Sequence, residues 1–560
     1  MSNTMHTKAY DSTFWSEVRT SAAYQPFVDE LLGKYKVHAA EPILADSFKL
    51  FDMFRACGNR NVFQAAYFHK RQRLVVSAML SMIYPDEPAY LEMLEDIIWA
   101  ICDEYTWSLP AHISWAEDER TDVDLFASET GYALSEIVTI LKDRLNPRVH
   151  KRVCEEIQRR IIESFELRVY DWEKCTHNWA AVCAGSVSII YMYMAPERYA
   201  AVKPRLQATI EGFLSGYSED GVCYEGIEYW EYGFGFFVTY AQHLYEFTGG
   251  KENYFAREKV HHMGGFQQMS DIGGVAVSFA DTAGDTHTVS PAIYGVLQQH
   301  YDDIIVPDEK FYEIFDPCAR WGRVFDAFVY LPKNKKTAST DYERFSAEAG
   351  LYTRRTKNYG FAAKAGTNDE PHNHNDVGNF IFAAGGKQLL CDMGAGEYVS
   401  GYFAKETRYS FLCNCSRGHS VPIIDGKYQS AGAEYKGTMT YENGVVTMDF
   451  GGAYDTDVRA VRELRFAEKS VALTDTFEKQ SGGASVTERF ITTIQPEVKA
   501  DGVWIENLCL AASASWQVEI NEDLHYGHGA EEIPVYMIDY KTAAEKQVAF
   551  EMTMTLHTEA

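Results

Sequence analysis

Through most of residues 10–330, apolar side chains recur at the three-and-four spacing of an amphipathic helix. The segment 71–84 has one apolar face and ends before Pro85, a residue that cannot continue a helix. Residues 90–105 repeat the pattern, with Leu91, Met93, Leu94, Ile97, Ile98 and Ile101 on one side. Segments 129–145, 148–170, 177–193 and 198–214 continue it, several of them joined by short links with Pro, Gly or Asp. Such a series predicts a helical array or a toroid, and spacing alone does not separate the two. The polar stretch 331–340 breaks the pattern. Beyond it the period tends to two, as in 444–450, 470–477, 488–493, 516–520 and 548–556. Many short strands with turns between them predict a β-sandwich. The expected organisation is a helical domain over 1–335 and a β-sandwich domain over 336–560.

Early in the β half, Phe380-Ile381-Phe382 and Leu389-Leu390-Cys391 flank Gly385-Gly386, which predicts a hairpin. Just ahead lies His372-Asn373-His374. On an extended strand, positions two apart share a face, which would put both imidazoles on one side. Asp392 ends the second strand of the hairpin, and His419 follows in Ser416-Arg417-Gly418-His419-Ser420. His374, Asp392 and His419 form a set of two imidazoles and a carboxylate that suits a divalent metal, zinc first. His372 is left over to face a substrate. With this block near the start of the β half, a cleft between the two domains is the expected site.

Composition narrows the class. Apolar content of 46% and charged content of 24% are those of a soluble globular protein. A formal net charge of −28 argues against a nucleic-acid partner and leaves no basic tail. Arg354, Arg355, Lys364, Arg408 and Arg417 lie near the histidine block and are the candidates for a local positive patch. The first eight residues carry no apolar core of a signal peptide. No run of about 18 apolar residues predicts a membrane span. Eleven cysteines lack a framework spacing, and Cys413-x-Cys415 is too tight for a zinc knuckle. They read as reduced and mostly buried, which fits a cytoplasmic enzyme or one whose export signal has been removed. The pattern assigns no oligomeric state.

Two segments of the helical half are rich in chemistry. Cys175-Thr176-His177-Asn178-Trp179 opens a helix, and 220–233 is dense in Tyr, Glu and Trp after a glycine turn. The second is either an aromatic helix start packed in a core or part of a cleft. Residues 278–285 read as a polar loop, and Trp107 either offers a platform to a sugar or packs inside.

Together, the His372-Asn373-His374-Asn375-Asp376 block, the Asp392-Met393-Gly394-Ala395-Gly396-Glu397-Tyr398 block and the block from Gly418-His419-Ser420 to Asp425-Gly426 resemble the heparinase II/III-like polysaccharide lyases. The resemblance implies an α/α toroid followed by an antiparallel β-sandwich. It implies cleavage of uronate-containing polysaccharides by β-elimination, with the metal on His374, Asp392 and His419. It makes Asn178 the neutraliser of the substrate carboxylate, Tyr229 the catalytic tyrosine and Glu225 a supporting residue. His177, Trp179, Glu225, Trp230, Trp107, Tyr398 and Arg408 are the expected substrate contacts. One feature departs from the family: many members place His after the Asn, whereas here Trp179 follows and His177 precedes.

The chemistry explains the residue types. Elimination removes the weakly acidic C5 proton of a uronate, so donors must stabilise the developing enediolate, and Asn178 supplies them without charge. A tyrosine with a reference pKa of about 10 needs cationic neighbours or donors to act as a base. His372 is the expected base for the C5 epimer. The implied partner is an acidic polysaccharide or oligosaccharide: glycosaminoglycans (heparan sulfate, chondroitin, hyaluronan) first, alginate second. Two other classes compete. A glycoside hydrolase on a helical toroid would set Glu225 against Asp281 or Asp285. A carbohydrate-binding protein would bind without turnover.

Overall fold

The computed structural model describes residues 5–113, 118–283, 288–333, 339–479, 482–513, 515–542 and 545–557. Helices come first and antiparallel sheets follow; among the described residues every strand begins at Tyr342 or later. Half of the linker expected at 331–340, residues 334–338, lies outside the described residues.

The chain divides into two compact units. The first comprises Met1–Gly216, Glu231–Gly264 and Thr288–Thr337. Its main helices include Asn61–Ile83, Pro88–Asp103, Leu125–Ile140, Pro147–Ile157, Asn178–Met194 and Pro196–Ser215. Three of these begin on proline, whose missing N–H costs nothing in the first helical turn. The expected helix over 148–170 is instead Pro147–Ile157, a π-turn at Gln158–Ile162 and a short helix Glu163–Leu167. Asn178–Met194 carries apolar residues on every face and is accordingly buried almost all round. It packs on Leu125–Ile140, Pro196–Ser215 and Gly235–Phe247.

This unit also buries an ion cluster. His6 Nδ1 lies 2.6 Å from Glu136 Oε1, His243 Nε2 lies 3.3 Å from the same oxygen, and Trp321 Nε1 donates to Glu136 Oε2 at 2.8 Å. Burial opposes charge on His6, but Glu136, with Asp326 and Glu246, outweighs it and pushes the imidazole up to about 9.

The second unit comprises Tyr217–Trp230, Gly265–His287 and Ala338–Ala560, so two segments from the helical half of the sequence belong with the sheets. Close backbone approach holds one of them: a Cβ at Gly360 would lie 1.9 Å from the Ile272 carbonyl oxygen. Its first strands are β1 (Tyr342–Ser346), β2 (Leu351–Arg355), β3 (Gly360–Lys364), β4 (Gly366–Asn368), β5 (Phe380–Ala384) and β6 (Lys387–Leu390). One sheet runs β1-β2-β3-β5-β6, and two further sheets have nine and four strands. Phe361, Phe380, Phe382, Phe450, Phe490 and Phe550 share the buried core. The β5–β6 hairpin turns on Gly385 and Gly386 at φ 61° and 79°. Two positive φ values define the type I′ turn, which matches the twist of paired strands.

One charged side chain sits inside this core. Arg462, on Val458–Phe466, lies opposite Asp475 and is fully buried. It binds that carboxylate through Nε at 2.9 Å and Nη2 at 2.6 Å, and donates to the carbonyls of Gly378 and Ser420 at 2.7 and 2.9 Å. Those carbonyls flank the histidine block on one side and His419 on the other, so the ion pair ties together the two chain segments that carry the imidazoles.

Candidate active site and metal centre

Residues 371–376 form turns and coil, not a strand of the hairpin. His372 has φ 59°, in the left-handed region, so the same-face argument for alternate strand positions does not apply. Instead, a shared carboxylate brings the two imidazoles together. His372 Nδ1 lies 2.8 Å from Asp281 Oδ2, and His374 Nε2 lies 3.1 Å from Asp281 Oδ1. The Tyr402 hydroxyl donates to Oδ1 at 2.7 Å and Arg408 Nη2 to Oδ2 at 3.1 Å. Burial alone would raise the pKa of Asp281, yet the hydrogen bonds and charge of His372 and His374 hold it well below the carboxylate range.

The backbone aims Asp281 by local strain and close docking. Ala280 has φ 61°, and the Thr282 N–H donates to the Ala280 carbonyl at 2.8 Å across a tight turn centred on Asp281. Ser278 Oγ donates to the Asp392 carbonyl at 2.8 Å, and the Ala395 N–H donates to the Thr282 carbonyl at 2.9 Å. A Cβ at Gly394 would lie 1.9 Å from that carbonyl oxygen, so only glycine lets the two strands of chain meet.

Tyr229 stacks on His372, with ring centroids 3.9 Å apart and planes 22° apart. Its hydroxyl lies 2.7 Å from that of Tyr398. Glu225 Oε2 lies 3.7 Å from His372 Nε2. Gly226, at φ 92°, lets this segment reach the Asp281 loop: a Cβ there would fall 2.9 Å from the Phe279 carbonyl oxygen. Burial, then the charge of Asp281, pushes the Tyr229 phenol well above its usual value; burial and Tyr229 do the same to Tyr398. Both phenols therefore hold their protons. Of the cationic neighbours or donors that a tyrosine base needs, Tyr229 has the Tyr398 hydroxyl, and the charges acting on it are the carboxylates of Asp281, Glu225 and Glu228.

His374, Asp392 and His419 converge as the sequence implied, with ligand atoms within 4.8 Å of one another and all three residues buried. His374 Nε2 is taken by Asp281, while its Nδ1 is buried with no hydrogen-bond partner. His419 Nε2 lies 2.7 Å from the Cys413 carbonyl oxygen, and its Nδ1 lies 3.1 Å from Asp392 Oδ2. Asn379 and the Gly394 N–H fix the Asp392 carboxylate, each at 2.8 Å. Each imidazole thus has one nitrogen bonded to a group outside the trio, as metal-ligating histidines commonly do. The residues fit a divalent ion. The buried His6–Glu136–His243 cluster of the helical unit also brings three potential ligand atoms within 4.8 Å of one another.

Comparison with solved structures places this architecture. A heparan sulfate lyase from Pedobacter heparinus superposes with a TM-score of 0.61 at 15% identity, over 90% of this chain and 78% of that one. The Streptomyces coelicolor A3 chondroitin AC lyase gives 0.57 at 10% identity, over 98% and 82%. A Paenibacillus xanthan lyase gives 0.52 at 9% identity, over 89% and 54%. The chain has the polysaccharide-lyase fold. No protein-family model matches it, and no curated protein matches it in sequence.

The remaining sequence-predicted residues are spread over both units. Asn178, His177 and Trp179 belong to the helical unit. Asn178 opens its helix and is 1% exposed; His177 precedes it in extended conformation, off the helix, and Trp179 is half-buried beside His112. Trp107 and Trp230 correct the substrate-contact reading. They are 1% and 0% exposed, and Trp107 Nε1 donates to the Ile101 carbonyl at 3.0 Å, so both are core residues. The positive patch is corrected too. Arg354 pairs with Glu343, Arg355 with Asp271, Lys364 with Asp376, Arg408 with Asp281 and Arg417 with Asp523. Glu225 is buried, 3.7 Å from His372 Nε2, and Asp285 lies outside the described residues. Asp281, read from sequence as one residue of a polar loop and as a carboxylate of the competing hydrolase, and Tyr402, Asn379 and Asn414, not singled out at all, complete the candidate site. All eleven cysteines are free, and no described helix is long and apolar enough to cross a membrane.

Proposed function

We propose that the protein is a polysaccharide or oligosaccharide lyase that cleaves 4-O-linked uronate glycans by β-elimination. Glycosaminoglycans such as heparan sulfate, chondroitin or hyaluronan are the favoured substrates, with alginate second. The observation that carries the reading is Tyr229 stacked on His372 and bonded to Tyr398, over the buried Asp281 carboxylate.

His372 donates its Nδ1 proton to Asp281, which leaves the Nε2 lone pair to take the C5 proton of the uronate. Glu225, 3.7 Å from Nε2, stabilises the imidazolium that forms. Tyr229, a neutral phenol here, gives its proton to O4 as the C4–O4 bond breaks, and Tyr398 hands on a replacement across their 2.7 Å contact. The C5–H and C4–O4 bonds break, a C4–C5 double bond forms, and the leaving sugar departs as a hydroxyl. Asn178 is proposed to neutralise the uronate carboxylate. His374, Asp392 and His419 would hold the metal, proposed as zinc, which when bound supplies a rigid anchor for the loop that carries His372.

Two features favour elimination over hydrolysis. Both oxygens of Asp281 already accept hydrogen bonds, and Glu225 is buried. A hydrolase needs a free pair of carboxylates across the bond. The test is an assay at near-ultraviolet wavelengths over a panel of uronans. A lyase makes an unsaturated uronate that absorbs there. New reducing ends without absorbance would replace the reading with hydrolysis, and binding without product would replace it with a binding protein.

A further inference from the structure

We infer that Asp281 is a positioning residue that fixes the proton placement of two imidazoles at once, presenting a lone pair of His374 to the metal centre and a lone pair of His372 to substrate. The inference rests on the lyase reading only for what His372 does with its lone pair.

Four donors converge on this carboxylate. Tyr402 and His374 Nε2 reach Oδ1 at 2.7 and 3.1 Å; His372 Nδ1 and Arg408 Nη2 reach Oδ2 at 2.8 and 3.1 Å. A carboxylate only accepts, so each imidazole nitrogen facing it must carry a hydrogen. A neutral imidazole has one hydrogen, so the far nitrogen of each ring is bare. In His374 that nitrogen is Nδ1, the buried atom with no partner beside Asp392 and His419. In His372 it is Nε2, on the side of Glu225. The two rings are thus held in opposite tautomers by one group. Asp281 is 1% exposed and sits on a turn whose preceding residue, Ala280, adopts φ 61°. Strain of this kind persists only where surrounding contacts hold it, here the docking of Ser278 and Thr282 onto Asp392 and Ala395. The same loop therefore touches the metal-ligand segment through its backbone and both imidazoles through its side chain. Metal occupancy and the placement of His372 share one mechanical link.

Asp281→Asn tests this, because an amide offers one accepting oxygen and one donating NH2. Whichever ring faces the NH2 must turn a lone pair towards it and move its hydrogen to the far nitrogen. Zinc affinity, measured by competition with a chromophoric chelator, is expected to fall about 10–100-fold if that ring is His374. If it is His372, 15N spectra of labelled histidine should show its hydrogen moving from Nδ1 to Nε2, with kcat falling and KM nearly unchanged. A purely structural role would lower stability and leave the tautomers alone. Unchanged zinc affinity together with an unchanged His372 tautomer overturns the inference. The wild-type spectrum decides the matter even if the variant does not fold: His372 carrying its hydrogen on Nε2 is incompatible with it. Expected tautomers in a protein that cleaves no uronan would leave the bridge standing and remove the lyase reading.

Discussion

Tyr229→Phe removes one oxygen from the candidate site and leaves the ring that stacks on His372 at 3.9 Å. The deleted hydroxyl makes a 2.7 Å bond to Tyr398. A neutral hydrogen bond contributes about 0.5–1.5 kcal/mol net, so the fold loses little. The rate loses far more. A positioned general acid contributes about 10²–10⁴-fold, which is roughly 3–5 kcal/mol of barrier at about 1.36 kcal/mol per tenfold. Burial and Asp281 hold the phenol protonated, and its proposed work is to protonate the leaving O4. The assay follows the unsaturated product for two substrates, a natural uronan and a uronide with fluoride at C4, whose departure needs no proton. The variant should lose kcat by the full factor on the first and much less on the second, with KM little changed on both. Equal losses on the two substrates would refute the acid assignment and move Tyr229 to the proton-abstraction step. Full activity on the natural substrate would remove it from the reaction.

His374→Ala should release the metal and lower the melting temperature together, since metal binding couples to folding; retention of stoichiometric zinc in elemental analysis would contradict the assignment. Asn178→Ala should cost about 3–4 kcal/mol in kcat/KM with the fold intact, the loss of one oxyanion-type donor, and an unchanged rate would take Asn178 out of the site. Arg462→Met leaves Asp475 and Glu488 buried without their cation and should destabilise the β unit by about 3–5 kcal/mol, read from urea unfolding. His6 has a folded-state pKa of about 9 against an unfolded 6.5, so its stabilisation is complete below the unfolded value and disappears as pH rises through about 9. That rise corresponds to roughly 3 kcal/mol as an upper bound, so unfolding free energy should fall between pH 7 and 9.5, and the slope should vanish in His6→Ala.

Local features were legible and long-range ones were not. The Gly385-Gly386 hairpin could be read because its turn chemistry lies within two residues. Helices start at Pro88, Pro147 and Pro196, ahead of the expected 90, 148 and 198, because proline both suits a link and fits the first turn of a helix. The convergence of His374, Asp392 and His419 was legible from residue types and blocks. The geometry of His372-Asn373-His374 was not, since a left-handed His372 breaks the alternation that a strand would give. Nothing local marks Asp281 as the partner of histidines some 91 and 93 positions away. The positive patch failed for the same reason: Arg355 finds Asp271 across 84 residues and Arg408 finds Asp281 across 127.

That pairing has a consequence for how the molecule would meet a polyanion. With a net charge of −28 and each of the five cations near the histidine block already balanced by a carboxylate, approach of an anionic chain is opposed at long range. Association then gains little from counterion release, and raising ionic strength speeds capture by screening the repulsion within a Debye length of about 10 Å at 0.1 M salt. Enzymes that grip sulfated chains through open arginine clusters slow down in salt; this one should speed up, and it should prefer short chains of low charge density to long, heavily sulfated ones.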